Sequence, residues 1–215
     1  MIKAVIFDMD GVIVDTEPIS DQHAAHFLSQ LGIDIPADFN DKFRGRTSLD
    51  FCRGMIEEFK LDKSVDELVI QLRESHLKFV ITHPDLKLIE GVENLIKKIH
   101  KKKLKLAVAS SAGPKRINAI LDLFGIKKYF QTIVSGDDVK KGKPDPGIFL
   151  IAARRLKVDP NLCVVIEDST NGVLAAKSAG MKCIGFAGMS HNKSDLSEAD
   201  LVIKDFSDTR VDKFI

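Results

Sequence analysis

The feature that most constrains the fold of this chain is a regular alternation of strand-like and helix-like segments from about residue 88 onward. Short apolar runs typical of buried strands are separated by longer segments with apolar residues at helical spacing. Such alternation favours a parallel sheet covered by helices on both faces, so we predict an α/β fold in three layers. The predicted strands cover residues 4–7, 104–109, 132–134, 162–166, 182–186 and 201–203, and the predicted helices cover residues 91–103, 114–124, 146–156 and 170–179.

The segment between the first strand and residue 88 interrupts this alternation. It contains amphipathic helical patterns at residues 19–31, 49–59 and 64–81, with no strand pattern between them. A helical insertion in an α/β domain explains this arrangement best. We therefore expect a core domain of residues 1–14 and 88–215 and a helical cap domain of residues 15–87.

The composition is that of an ordinary globular protein, with 44% hydrophobic and 29% charged residues. The net charge of +1 predicts no general attraction to nucleic acid or to an anionic membrane, and it favours a monomer. We see no signal peptide and no apolar run near the length of about 18 residues that a membrane span needs. The three cysteines form no CxxC pair, which favours reduced thiols and a cytoplasmic location.

Two carboxylates stand at the end of the first predicted strand. Asp8 and Asp10 follow the apolar run of residues 4–7, and Gly11 lets the chain turn immediately after them. In an extended backbone, side chains two residues apart point the same way, so both carboxylates can reach one small volume. A cation or a shared proton relieves their repulsion. The pattern suits a divalent metal ion and nucleophilic attack by one carboxylate.

Three further chain segments bring polar residues to the same edge of the predicted sheet. Ser110 and Ser111 lie just before a helix, where hydroxyl and backbone N–H groups bind anions. Lys143 precedes another helix, and Glu167 and Asp168 follow the strand at residues 162–166. Taken singly, these features could be a turn, a helix cap, a surface lysine or loop polarity. Because ligands bind at the carboxyl ends of parallel strands, the combination predicts phosphoryl transfer, which depends on positioning and charge neutralisation.

The same residues resemble the four motifs of the haloacid dehalogenase superfamily of phosphatases and phosphomutases. Residues 8–12 resemble the first motif of that superfamily, and Ser110 resembles the second. Residues 143–144 resemble the third motif, and residues 167–168 resemble the fourth. The order of the motifs agrees, and the resemblance covers nearly the whole chain. The helical insertion is similar to the cap of the subgroup that holds β-phosphoglucomutase and the sugar-phosphate and phosphoglycolate phosphatases. The resemblance implies a Rossmann-like core with an inserted α-helical cap.

This resemblance also implies a role for each motif residue. Asp8 would attack phosphorus and become an aspartyl phosphate, while Asp10 would protonate the leaving oxygen and later take a proton from water. The implied cofactor is Mg²⁺, and its implied ligands are Asp8, the backbone carbonyl of Asp10, Asp168 and, directly or through water, Glu167. The groups implied to bind the transferring phosphoryl are Ser110, Ser111 and Lys143.

The implied substrate is a small phosphorylated metabolite held between the core and the cap. The loop between the first two predicted cap helices contains Arg44, Gly45 and Arg46, and either arginine could contact a phosphate group or sugar hydroxyls. A solvent-facing arginine is an equal alternative at both positions. Glu17, beside the first hinge, is a further candidate substrate contact.

Two cap positions favour a phosphatase over a sugar-phosphate mutase. β-Phosphoglucomutases resemble this chain but carry a histidine where Ser20 stands and an arginine where Ser48 stands. A mutase must return the phosphoryl group to a sugar rather than lose it to water, and missing cap contacts make that harder. We therefore predict a phosphatase acting on a phosphorylated sugar or a related metabolite. The alternatives are a mutase, a catalytically silent binding protein and a dehalogenase.

Overall fold

In the part of the chain that the structure describes, the sheet has six strands, all parallel, in the order β3-β2-β1-β4-β5-β6. A computed structural model describes residues 1–33 and 47–215. The first strand of the chain lies in the middle of the sheet, between β2 and β4. The strands are β1 (Ala4–Phe7), β2 (Lys105–Ser110), β3 (Thr132–Ser135), β4 (Cys163–Glu167), β5 (Lys182–Phe186) and β6 (Leu201–Ile203).

Helices cover both faces of this sheet because alternate residues of each strand point in opposite directions. Val5 and Phe7 of β1 belong to one apolar cluster, whereas Ala4 and Ile6 belong to another on the opposite face. The first cluster includes residues of α4 (Val92–Lys101), α5 (Pro114–Leu123) and α8 (Arg210–Phe214), and the second includes residues of α6 (Gly147–Leu156) and α7 (Thr170–Ser178). The predicted three-layer α/β fold is confirmed.

Between β1 and β2, the described residues form three further helices, here called the cap helices. They are α1 (Glu17–Gln30), α2 (Ser48–Phe59) and α3 (Val65–Ile81). They share an apolar cluster of their own, built around Leu28, Met55 and Leu68. The predicted helical insertion is therefore present, and its helices begin and end within about two residues of the predicted bounds.

The two connections between the cap helices and the sheet run side by side. Val14 forms an isolated bridge with Leu88, and the Ile89 N–H donates to the Ile13 carbonyl at 3.0 Å. Residues 9–14 form a tight turn in which the Gly11 N–H donates to the Val14 carbonyl at 2.8 Å. The cap helices are thus joined to the sheet by two connecting segments that lie next to each other, directly beside the residues that follow β1.

The C-terminal tail ends in a short helix that the sequence pattern did not predict. Val211 of α8 is buried in the apolar cluster that covers one face of the sheet. The Asp212 carboxylate lies 2.5 Å from Nζ of Lys98 in α4 and 3.5 Å from Nζ of Lys102, which directly follows that helix. Five residues are too few to show helical periodicity, so only the packing reveals the element. Over residues 1–33 and 47–215, no helix has the length and apolarity that crossing a membrane requires.

Candidate active site

The parallel register of the sheet brings the predicted site residues together. Phe7, which ends β1, pairs with Val108 of β2 on one side and with Ile166 of β4 on the other. The carboxyl ends of these three strands therefore meet at one edge of the sheet. Asp8 follows β1 there, and its backbone N–H continues the pairing by donating to the Ile166 carbonyl at 2.9 Å.

Lys143 forms the centre of a buried ionic cluster at this edge. Its ammonium group donates to Asp8 Oδ1 at 2.6 Å and also to Glu167 Oε1. All three side chains are buried. Burial alone would lower the pKa of Lys143, but the attraction of Asp8 and Glu167 outweighs burial and raises that pKa above its ordinary value. Lys143 is therefore a permanently charged group in contact with Asp8.

Glu167 holds Lys143 from one carboxylate oxygen and the start of α7 from the other. Its Oε2 accepts hydrogen bonds from the Asp168 N–H at 2.9 Å, the Ser169 N–H at 2.8 Å and the Ser169 hydroxyl at 2.9 Å. Gly172 makes room for this carboxylate, since a Cβ there would overlap the carboxyl carbon and both oxygens. In this arrangement Glu167 orients Lys143. Its predicted role as a metal ligand stays a prediction.

Gly172→Ala is expected to destabilise the protein by about 2 kcal/mol, because the new methyl group must displace a buried, fully hydrogen-bonded carboxylate. Urea unfolding would measure this change in stability. Gly113→Ala is the matched control, because a Cβ at that position meets Arg73 only at ordinary van der Waals distance, 3.5 Å or more. We expect less than about 1 kcal/mol for the control. Equal losses in both variants would contradict the packing of Glu167 against Gly172.

Asp168 completes a cluster whose charge is unbalanced. The buried carboxylates of Asp8, Glu167 and Asp168 face one ammonium group, that of Lys143, which leaves a formal charge of −2 when all are ionised. Burial, followed by repulsion from the other carboxylates, raises the pKa of Asp168 well above its ordinary value. Burial also raises the pKa of Asp8 to about 8, although Lys143 opposes this shift. Two added positive charges would neutralise the cluster.

This donor set fits a magnesium ion. Mg²⁺ is held in proteins by one or two carboxylates and keeps several waters, rather than sitting in a closed protein cage. In the described part of the chain, no three His, Cys, Asp or Glu side chains form such a cage. Asp168 lies against the backbone of Gly11, where a Cβ would overlap its carboxylate. Asn192, in the loop after β5, donates to Asp168 Oδ2 at 2.7 Å and so orients it.

Asp10 lies beside this cluster but belongs to a different set of contacts. Thr16 donates to its Oδ1, and Ser110 lies 3.4 Å from its Oδ2. Arg116 of α5 donates to the same Oδ2 at 2.5 Å. The Ser110 hydroxyl in turn accepts from the Ala112 N–H at 3.1 Å, as expected for a residue at the start of an anion-binding loop.

A cleft of about 550 Å³ separates this edge of the sheet from the cap helices. The predicted site residues Asp8, Asp10, Ser111 and Asp168 line it, as does the predicted substrate contact Glu17. Ser20 and Ser48, the two positions that favoured a phosphatase, also line it. Arg44, Gly45 and Arg46 lie outside the described residues.

The cap helices contact the core across this cleft. Arg73 of α3 makes two hydrogen bonds to Asp137, which follows β3, at 2.6 and 3.0 Å. His76 of the same helix lies 3.5 Å from Arg116 and 3.0 Å from the Ser20 hydroxyl. Four polar residues at the site were not predicted from the sequence: Arg73, His76, Arg116 and Asn192. Each belongs to an ordinary helical or loop pattern, and its distance along the chain from its partner leaves no local signal.

The sequence of this chain matches the haloacid dehalogenase-like hydrolase family over residues 5–186. The chain therefore belongs to that family, and the predicted membership is confirmed. It is 34% identical over 193 residues to the phosphorylated carbohydrates phosphatase of Thermotoga maritima, covering 90% of this chain and 88% of that protein. The prediction of a hydrolase of the phosphatase type agrees with this relative.

Two further similarities frame the alternatives. A crystal structure of β-phosphoglucomutase from Clostridium difficile superposes with a TM-score of 0.85 at 28% identity, covering 100% of this chain and 96% of that one. The chain is also 32% identical over 213 residues to the bifunctional riboflavin kinase/FMN phosphatase of Arabidopsis thaliana. That match includes 99% of this chain but only 55% of the longer Arabidopsis protein.

Proposed function

We propose that this protein is a Mg²⁺-dependent phosphatase that hydrolyses a small phosphorylated sugar or related metabolite through an aspartyl phosphate at Asp8. The observation that carries this proposal is the buried contact between Asp8 and Lys143 in a cluster with an excess negative charge. A carboxylate fixed in this way is poised for attack on phosphorus. The phosphatase similar to this chain acts on phosphorylated carbohydrates, which supports a substrate of that class.

The chemistry follows from the positions of the side chains. Lys143 holds Asp8 Oδ1, which leaves Oδ2 for attack on phosphorus. As the bond from Asp8 to phosphorus forms, the bond to the leaving oxygen breaks, and Asp10 gives that oxygen a proton. Ser110, the Ser111 N–H and Lys143 bind the phosphoryl oxygens. Asp10 then takes a proton from the water that cleaves the aspartyl phosphate.

Asp8, Asp168 and the backbone carbonyl of Asp10 would hold the Mg²⁺ ion, with Glu167 acting directly or through water. The bound ion supplies positive charge that neutralises the phosphoryl oxygens and the excess charge of the carboxylates. Asp168 is held for this role by Asn192, and Glu167 is held by Lys143 and the start of α7.

A sugar-phosphate mutase is the second candidate, and one observation favours it. The cap helices place the imidazole of His76 against Ser20, so the cleft contains a histidine although position 20 does not. The structural similarity to β-phosphoglucomutase agrees with this alternative. A mutase would shield the aspartyl phosphate from water and return the phosphoryl group to a sugar.

Phosphate release from a panel of sugar phosphates and small phosphate esters tests the proposal. With Mg²⁺ we expect free phosphate, and with EDTA we expect activity to fall by at least about 100-fold, since the excess charge of the carboxylates is no longer neutralised. Glucose 1-phosphate with a bisphosphate primer belongs in the panel. Isomerised sugar phosphate without net phosphate release would show the mutase instead, and unchanged hydrolysis in EDTA would contradict the metal requirement.

Three further features of the protein belong to this proposal. We divide the chain into a core of residues 1–14 and 88–215 and a cap of residues 15–87, which the separate apolar cluster of the cap helices supports. We place the protein in the cytoplasm, which agrees with the buried free thiols of Cys52, Cys163 and Cys183. We expect it to act as a monomer.

A further inference from the structure

Arg116 is the charged side chain that joins Asp10 to the cap helices. It is the third residue of α5, the helix that follows the Ser110 loop. One terminal nitrogen donates to Asp10 Oδ2 at 2.5 Å, and the other lies 3.5 Å from His76 Nδ1. The Arg116 side chain is only 15% exposed. A planar guanidinium with this little freedom holds the carboxylate oxygen that it contacts in place.

The contacts of His76 show which of its ring nitrogens donates a hydrogen bond and which accepts one. A guanidinium has donors only, so Nδ1 of His76 must face Arg116 with its lone pair. Nε2 then carries the hydrogen and donates to the Ser20 hydroxyl at 3.0 Å. Burial, followed by repulsion from Arg116, holds the pKa of His76 well below its usual range, which agrees with a neutral ring. A continuous chain of contacts therefore runs from α1 and α3 through Arg116 to Asp10.

We propose that Arg116 is the positioning residue for Asp10 and that the cap helices set its place through His76. The inference rests on the proposed function, in which Asp10 protonates the leaving oxygen. Thr16 holds one oxygen of Asp10, and Arg116 holds the other, to which Ser110 makes a longer contact of 3.4 Å. Without Arg116 the carboxyl group can rotate away from the leaving oxygen, and displacements of about 1 Å in such groups cost roughly 100-fold in rate.

Arg116 would assist the proton transfer from Asp10 to the leaving oxygen in the first step of the reaction. Asp8 Oδ2 forms a bond to phosphorus while the bond from phosphorus to the leaving oxygen breaks. The proton of Asp10 moves to that oxygen, and Asp10 becomes a carboxylate that keeps its hydrogen bond from Arg116. An alkoxide leaving group needs this proton, whereas 4-nitrophenolate leaves without one. The decrease in rate caused by removing a residue that positions the acid should therefore depend on the leaving group.

Values of kcat/KM for glycerol 2-phosphate and 4-nitrophenyl phosphate test this inference, because kcat/KM reports the steps up to the first phosphoryl transfer. We expect Arg116→Gln to lower kcat/KM for the alkyl ester by about 100-fold and for the aryl ester by less than about fivefold. Arg116→Lys, which keeps the charge without the planar fork, should recover part of the loss on the alkyl ester. Circular dichroism confirms that each variant is folded.

Arg73→Gln is the matched control. Arg73 is also an arginine at the boundary between the cap helices and the core, but it pairs with Asp137 rather than Asp10. It should lower kcat/KM for the two esters by the same factor. Equal losses on both esters in Arg116→Gln would overturn the inference, and so would no loss on either. Wild-type protein that hydrolyses neither these two esters nor any member of the sugar-phosphate panel would instead refute the proposed function and, with it, the inference.

Discussion

Asp8→Asn is expected to reduce phosphate release by at least about 10⁴-fold and to leave the fold intact. The amide cannot form an aspartyl phosphate, although it has nearly the shape of the carboxylate. The substitution also removes one of the three buried, ionisable carboxyl groups beside Lys143. Metal-free Asp8→Asn should therefore be at least as stable as the wild-type protein. Phosphate release and urea unfolding in EDTA measure the two effects.

Asp122→Asn provides the matched control for this substitution. It makes the same chemical change at an exposed carboxylate that pairs with Lys127 on the surface, away from the cleft. We expect full activity and a change in stability of less than about 0.5 kcal/mol in this variant. Residual hydrolysis by Asp8→Asn near the wild-type rate would refute Asp8 as the nucleophile.

Lys143→Met is expected to abolish activity and to lower the stability of the metal-free protein by about 3–5 kcal/mol at pH 8. Methionine keeps most of the aliphatic stem, so the change removes chiefly the charge. Asp8 and Glu167 then lose the cation that both contact, and they remain buried beside Asp168. Urea unfolding in EDTA gives the stability, and phosphate release with Mg²⁺ gives the activity.

The loss in Lys143→Met should shrink as the pH falls. Burial already raises the pKa of Asp8 to about 8 with Lys143 present, so in the folded state this group binds a proton more readily than in the unfolded state. Between about pH 4 and pH 8 such a group makes stability fall as pH rises. Without Lys143 the pKa of Asp8 should rise further, so the variant keeps losing stability above pH 8, where the stability of the wild-type protein levels off. The loss should therefore grow with pH above about pH 8. Lys127→Met, which breaks only a surface ion pair, should show no such dependence, and a loss independent of pH would contradict the assignment.

The fold was predictable because its signals are local. The alternation of apolar runs and amphipathic segments predicts each strand of the sheet, and the cap helices follow from their apolar spacing. The strand-end position of Asp8 and Asp10 was equally visible. The edge at which they lie depends only on the rule that parallel strands end together. The roles of these residues in catalysis remain predictions.

The rest of the site depends on contacts between distant parts of the chain. Arg116 and Asp10 are 106 residues apart, and nothing near Arg116 in sequence distinguishes it from a surface arginine of an amphipathic helix. His76 likewise occupies one position among seventeen in α3. From sequence alone, Gly172 is a residue of low helix propensity within a helix, and only the structure shows that the Glu167 carboxylate packs against it. Such contacts follow from packing geometry, which a pattern along one chain does not contain.

The central position of β1 has a consequence for the order in which the protein can form during synthesis. β1 pairs with strands that begin only at Lys105 and Cys163. The cap helices have their own apolar cluster and can collapse as soon as they emerge from the ribosome. The strand that carries Asp8 must wait, because pairing across such long separations is slow. Until synthesis has passed Glu167, one edge of β1 has no partner strand, and its apolar surface is then open to aggregation.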